Sequence, residues 1–224
     1  FATDNEVALF TRNAPECRVR VQAMGNGVDT DYFSVDDTRS SPFPPGELPV
    51  VFTGAMDYLP NVDAATWFAS DVLPGLLQRW PAVRFYVVGR NPSAAVLALA
   101  SDRIVVTGTV DDVRPYLQHA ATVVAPLRIA RGIQNKILEA MAMGRPVIAS
   151  ATCAAAVDAV AGQELLTATS PEEYIAAISQ VLEAPETATA MGGAARQRVV
   201  ERYTWEAHMK AIDPYLPAPS LRET

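Results

Sequence analysis

Arg131, Gly132, Lys136 and Glu139 sit close together in the run Pro126-Leu-Arg-Ile-Ala-Arg-Gly-Ile-Gln-Asn-Lys-Ile-Leu-Glu-Ala-Met-Ala-Met-Gly-Arg-Pro-Val147. The run reads as strand end, loop, helix over 132–143, then next strand. A basic, glycine-containing loop opens that helix. Its first N–H groups, around Gly132, Ile133 and Asn135, and its positive dipole end make an anion site. A lysine in the first turn opposes the helix dipole, so Lys136 itself points to a bound anion. Lys136 and Glu139 are three apart and share one face. At 1.5 Å rise per residue, Glu139 lies roughly 10 Å along the axis from Gly132. That is about the reach from a pyrophosphate to a ribose. The chemistry this pattern suits is recognition of a nucleoside diphosphate, with Arg131 and Lys136 on phosphate and Glu139 on sugar hydroxyls.

The elements that must position these residues alternate. Apolar runs at 50–53, 84–88, 103–107, 122–125 and 146–150 read as buried strands, with a last one at 164–167. Helical segments fall between them at 62–80, 93–100, 112–119 and 132–143. Alternation of this kind predicts an α/β fold, a doubly wound parallel sheet of Rossmann-like type. Ligands then bind at the carboxyl ends of the strands. Gly54, Gly89 with Arg90, Gly108 with Thr109 and Val110, and the loop carrying Arg128 all follow strands, on that one edge. Ser170-Pro-Glu-Glu173 opens a further helix with a cap, a proline and a returning Glu. Two more helices are expected at 185–202 and 204–215. Before the sheet, Thr3-Asp-Asn-Glu6 reads as a capping box for a helix to about Phe10, a strand is expected at 18–23, and Ser40–Pro49 reads as a Pro-rich linker.

Composition narrows the function class. The chain has 224 residues, half of them hydrophobic, and a net charge of −7. That charge argues against non-specific nucleic-acid binding and against docking on anionic lipid. No stretch approaches the length of a membrane span. Phe1 is not an initiator residue, so a fragment or processed chain is expected. Cys17 and Cys153 have no metal or redox spacing and fit a reducing cytoplasm. His119 and His208 are too few for a zinc site. The acid pairs Asp111-Asp112 and Glu172-Glu173 fall at helix starts, where acids are stabilising in any case. No Gly-x-Gly-x-x-Gly follows a strand and no Gly-x-x-x-x-Gly-Lys-Ser/Thr occurs, which argues against dinucleotide dehydrogenases and P-loop enzymes.

Glu139-Ala-Met-Ala-Met-Gly144-Arg-Pro146-Val147 resembles the second half of the signature of retaining GT-B glycosyltransferases, especially glycosyltransferase family 4. That signature is a Glu, seven residues, a second Glu, then Ala-Met-Ala-x-Gly-x-Pro-Val. Its first Glu falls where this chain has Arg131. Arg-Gly-Ile-Gln-Asn-Lys at this place is similar to a bacterial exopolysaccharide-associated branch. Asn26-Gly-Val-Asp29 with Phe33 resembles the passage between the family's two domains. The resemblance implies that 1–24 is a remnant of an N-terminal domain, 25–49 hinge and linker, 50–184 the Rossmann-like domain and 185–224 C-terminal helices. Asp29-Thr-Asp31 is then hinge, and not the metal motif of the other glycosyltransferase fold.

The resemblance further implies transfer of a sugar, with retention, from a nucleotide diphosphate sugar (UDP- or GDP-linked) to a glycan or lipid-linked acceptor. No metal or other cofactor is implied. Glu139 holds the ribose, the loop before the helix holds diphosphate and sugar, and the Gly108-Thr109-Val110 loop clasps the base. The family's Arg and Lys after the first strand are absent from the Gly54 loop, so Arg90, Arg128 and Arg131 are expected to take over their charge. Arg131 has two open roles: phosphate binding, or selection of an acidic donor sugar. The acceptor half belongs to the absent domain, and a cytoplasmic protein, peripheral at the inner membrane, is expected. A non-catalytic nucleotide-sugar or partner-binding module and a nucleotide-sugar 2-epimerase remain alternatives.

Overall fold

The structure is a computed structural model, and it describes residue 1, residues 4–129 and residues 132–210. Six parallel strands form one sheet: β1 Leu48–Thr53, β2 Val83–Val88, β3 Ile104–Gly108, β4 Thr122–Ala125, β5 Val147–Ser150 and β6 Leu166–Ala168. Their order across the sheet is β3-β2-β1-β4-β5-β6. The chain winds outward from β1 to β3, then crosses back and winds the other way from β4 to β6. The reversal leaves a crevice at the carboxyl ends of β1 and β4, where open α/β sheets bind ligands. Val50, Val51 and Phe52 are all fully buried. Neighbours on both faces of the pleat are covered, which is why these strands read as continuous apolar runs.

Ten α-helices are described: α1 Asp4–Asn13, α2 Leu59–Trp67, α3 Leu73–Arg79, α4 Ala94–Leu97, α5 Arg114–Gln118, α6 Asn135–Ala142, α7 Ala151–Ala154, α8 Pro171–Glu183, α9 Pro185–Arg202 and α10 Trp205–Met209. The expected helix at 62–80 is divided. Pro74 has no N–H to give the carbonyl four residues earlier, and the ladder slips to one π turn at Phe68–Val72, where Leu73 N–H reaches the Phe68 carbonyl. The expected strand at 18–23 does not form. No strand among the described residues lies beside it, and Pro15–Arg20 coils into a 3-10 turn. The expected Thr3 cap and the helix beyond Lys210 fall outside the described residues. The Pro-rich linker is not loose: Phe43 is buried, packed edge-on against Tyr86 and Tyr116. The linker is also tied to the end of α5, where Gln118 donates to the Asp36 carbonyl at 2.8 Å and His119 Nε2 lies 2.7 Å from the Arg39 carbonyl. His119 is therefore structural. The capping box on α8 is complete, with Ser170 and Glu173 bonding reciprocally.

The helix that carries Lys136 and Glu139 begins later than its sequence suggests. Gly132 has φ +67 and Gln134 is extended, so α6 starts at Asn135. Its far end is closed tightly. Gly144 ends the helix at φ +64, and a Cβ on Gly192 of α9 would lie 2.0 Å from the Gly144 carbonyl oxygen. Only glycine permits that approach of the two backbones. Arg196 of α9 donates to the Ala142 carbonyl, the last of α6, and at 3.0 Å to the Phe33 carbonyl. A cation there also suits the negative end of the helix.

Candidate functional site

The switch crevice is built from two glycines, two asparagines, one lysine and one carboxylate. Gly54 ends β1 and Gly89 ends β2. The Gly54 N–H donates to the Val88 carbonyl at 3.0 Å, and a Cβ on Gly89 would stand 1.7 Å from the Gly54 carbonyl oxygen. The two backbones therefore cross with no room for a side chain. Directly over this crossing comes Lys136 from α6. Its Nζ donates to Asn61 Oδ1 at 2.5 Å and lies 4.4 Å from the centre of the Phe52 ring. Asn61, in the first turn of α2 and only 5% exposed, donates in turn to the Ala55 carbonyl at 2.8 Å. A Cβ on Gly54 would be 2.7 Å from Asn61 Nδ2 and 3.0 Å from Lys136 Nζ. The absence of a side chain at Gly54 is what lets the ammonium reach this backbone.

The charges here are held at a cost. Burial pulls Lys136 down to about 8, against weaker opposing pulls from Cys153 and Glu139. Burial likewise pushes the Glu139 carboxyl above its ordinary range, with Lys136 partly countering. Among the described residues neither forms an ion pair, and no side chain hydrogen-bonds the Glu139 carboxylate. At the end of β1 the Thr53 hydroxyl is buried without a described partner, on the face of the sheet opposite the Phe52 ring. Hydroxyls cap α4, α7, α8 and α10 through Ser93, Ser150, Ser170 and Thr204. No side chain caps α6. α2, α3, α5 and α9 lack a side-chain cap as well. In the first turn of α6 the Ile137 N–H donates to the Gln134 carbonyl at 2.9 Å, and the N–H groups of Asn135 and Lys136 have no described acceptor, which suits an anion from outside.

The structure brings together Gly54, Gly89, Lys136 and Glu139. Asn135 joins them at the helix start, where its Oδ1 accepts from Asn26 Nδ2 at 2.8 Å. Gly132 and Ile133 lie in the approach loop, with Glu6 Oε1 of α1 within 3.6 Å of a Cβ placed on Gly132. The helix start thus falls at 134–136 and not at 131–133. Arg131 lies outside the described residues. Arg128 does not serve as a free cation: it pairs with Asp63 of α2, Nε to Oδ2 at 3.0 Å, and sits 5.6 Å from the Trp67 ring. Arg90 is exposed beyond Gly89. Gly108 ends the outer strand β3 with φ +68 and pairs with Val88, so it, Thr109 and Val110 follow the strand next to the crossing, beside Gly89. His208 packs against Gly25 and Trp205 against Gly27, on either side of Asn26. Asn61 is not singled out in the sequence, and Asn26 only as part of the hinge motif. Among the described residues no cluster of His, Cys, Asp and Glu could hold a metal ion, and no helix is long and apolar enough to cross a membrane.

Residues 47–184 match the family model described as glycosyl transferases group 1. No curated protein sequence matches the chain. Among solved structures it is similar to Anabaena Alr3699/HepE in complex with UDP, at 15% identity and TM-score 0.80, covering 96% of this chain and 62% of that one. It is similar to WaaG, a glycosyltransferase involved in lipopolysaccharide biosynthesis, at 17% identity and TM-score 0.72, covering 96% and 61%. It is also similar to sucrose-phosphate synthase from Thermosynechococcus elongatus, at 22% and 0.70, covering 91% and 55%. The chain thus spans less than two thirds of each of these proteins. At such identities the likeness establishes the fold, the Rossmann-like half of a GT-B architecture.

Proposed function

We propose that this chain, which belongs to the group 1 glycosyl transferases, supplies the donor-binding half of a retaining glycosyltransferase. The donor is a nucleoside diphosphate sugar, and the acceptor is a glycan or lipid-linked sugar of exopolysaccharide synthesis. The observation that carries the reading is the meeting of Lys136 with Asn61 over the Gly54–Gly89 crossing, one helical turn from an unbonded Glu139 carboxylate. An ammonium and uncapped helix N–H groups suit the diphosphate. They are worth most as negative charge gathers on the departing diphosphate, because they are already oriented and partly shielded from water. Glu139 can only accept hydrogen bonds when ionised, which fits vicinal ribose hydroxyls. Retention and the exopolysaccharide role rest on the signature resemblance. The acceptor half lies with residues other than these.

Because Alr3699/HepE was crystallised with UDP and with UDP-glucose, uridine nucleotides are the first ligands to titrate, with GDP beside them. Calorimetry is expected to show nucleoside diphosphate binding to the chain. Lys136→Met is expected to weaken it by about ten- to a hundredfold, the worth of a charge-assisted hydrogen bond. Glu139→Gln is expected to weaken UDP but not a 2′,3′-dideoxy analogue. No binding of any nucleoside diphosphate by the wild type would refute the donor reading.

A further inference from the structure

We propose that Asn61 is a positioning residue for donor phosphate: its side-chain carbonyl aims the Lys136 ammonium at the carboxyl end of β1, so that α6 supplies the charge the β1–α2 loop lacks. Four observations carry this. Asn61 is a buried polar side chain bonded at both ends, Nδ2 to the Ala55 carbonyl and Oδ1 to Lys136 Nζ. The first bond fixes which way the amide points and leaves the oxygen for the lysine. Gly54 then leaves space for the ammonium, which a side chain there would meet at 3.0 Å. The bonding partner is a neutral amide. It locates the cation without cancelling it, and two of the three ammonium hydrogens stay available. Arg128 is the contrast: a carboxylate on the same helix α2, Asp63, holds it and neutralises it. Finally, Lys136 and Lys210 are the only lysines in the chain, so one of the two sits in this crevice.

The groups that face Lys136 are Glu139 on its own helix, Cys153 on α7, Asn61 on α2 and the Phe52 ring on β1. Asn61 is the one bonded to it, and its replacement by a carboxylate changes the local charge with little change in volume. Two arms test the proposal. The binding arm rests on the donor reading; the titration arm does not.

In the titration arm, lysines labelled at the ε carbon give two NMR resonances, and Lys136→Met assigns them. Asn61→Asp is expected to raise the Lys136 midpoint by at least one pH unit over wild type. In the binding arm, UDP is titrated at pH 7. Asn61→Ala is expected to lose about tenfold in affinity, and the same change in a Lys136→Met background to lose nothing further. A merely structural asparagine would weaken both backgrounds equally and leave the lysine titration in place. Coincident Lys136 titrations in wild type and Asn61→Asp, or equal affinity losses in both backgrounds, overturn the proposal. If the wild type binds no nucleotide, the donor reading fails and the titration arm alone decides.

Discussion

The two ends of α6 are built to opposite rules. At the carboxyl end every group is closed off: Gly144 turns the chain, Gly192 lets α9 approach to backbone contact, and Arg196 takes the last carbonyl. At the amino end polar groups are left wanting. Among the described residues no side chain caps the helix, Lys136 is desolvated beside a neutral partner, and no side chain donates to Glu139 one turn further on. One helix thus carries a closed end and an open end. Unsatisfied groups gathered on one side of a well-packed element mark where local consistency has been given up for function.

The largest expected effect lies at the closed end. Gly192→Ala forces a methyl into the Gly144 carbonyl and should destabilise the fold by about 3 kcal/mol, the upper range for overpacking. Denaturant unfolding checks it, and a neutral result would break the comparison at once.

At the open end the sign should reverse. Lys136→Met removes a desolvated charge and should stabilise the chain by about 2 kcal/mol at pH 7, while binding is lost. The pH dependence follows. Between about pH 8 and the ordinary lysine value of 10.5, the unfolded chain holds the proton and the folded chain does not. Wild-type stability relative to Lys136→Met must therefore rise with pH across that window. Thermal melts of the pair at pH 7 and pH 10 test this; parallel melts would mean that Lys136 is not desolvated. Binding runs the other way. Phosphate favours the charged amine, so UDP affinity should fall above about pH 8, by up to about tenfold per unit.

The smallest effect is expected at Glu139. Its carboxyl is raised by burial, so the folded chain keeps that proton longer than the unfolded chain. Stability is lost as pH climbs from the ordinary carboxylate range through the raised value. Glu139→Gln should flatten that slope and modestly stabilise the fold near neutrality. An unchanged acid limb would place Glu139 in water.

Local signals made much of this readable in the sequence. The strand Thr122–Ala125 and the helix Pro185–Arg202 coincide with their expected spans because an apolar run and a Pro-started polar helix announce themselves. The pairing of Lys136 and Glu139 on one face needed only helical spacing. What escaped was long-range. Asn61 meets Lys136 across a separation of 75 residues, and Asn26 meets Asn135 across 109. The neutralisation of Arg128 depends on where the crossover sets Asp63. The start of α6 was misplaced because Gly132 takes a left-handed turn that delays the helix, and a glycine before a helical run permits either course. The strand at 18–23 failed for a related reason: a strand is a property of a pair.

α6 is pinned at both ends to one short segment. Asn26 bonds its first residue, and Arg196 grips its last carbonyl together with that of Phe33. In mechanical terms the helix is a strut bolted to residues 26–33. The strut is also sunk in the core, with Ile137, Leu138, Ala140, Met141 and Ala142 fully buried. Lys136 and Glu139 are thus two teeth on one fixed bar, and their gauge against Gly54 is set by the same packing that holds the sheet.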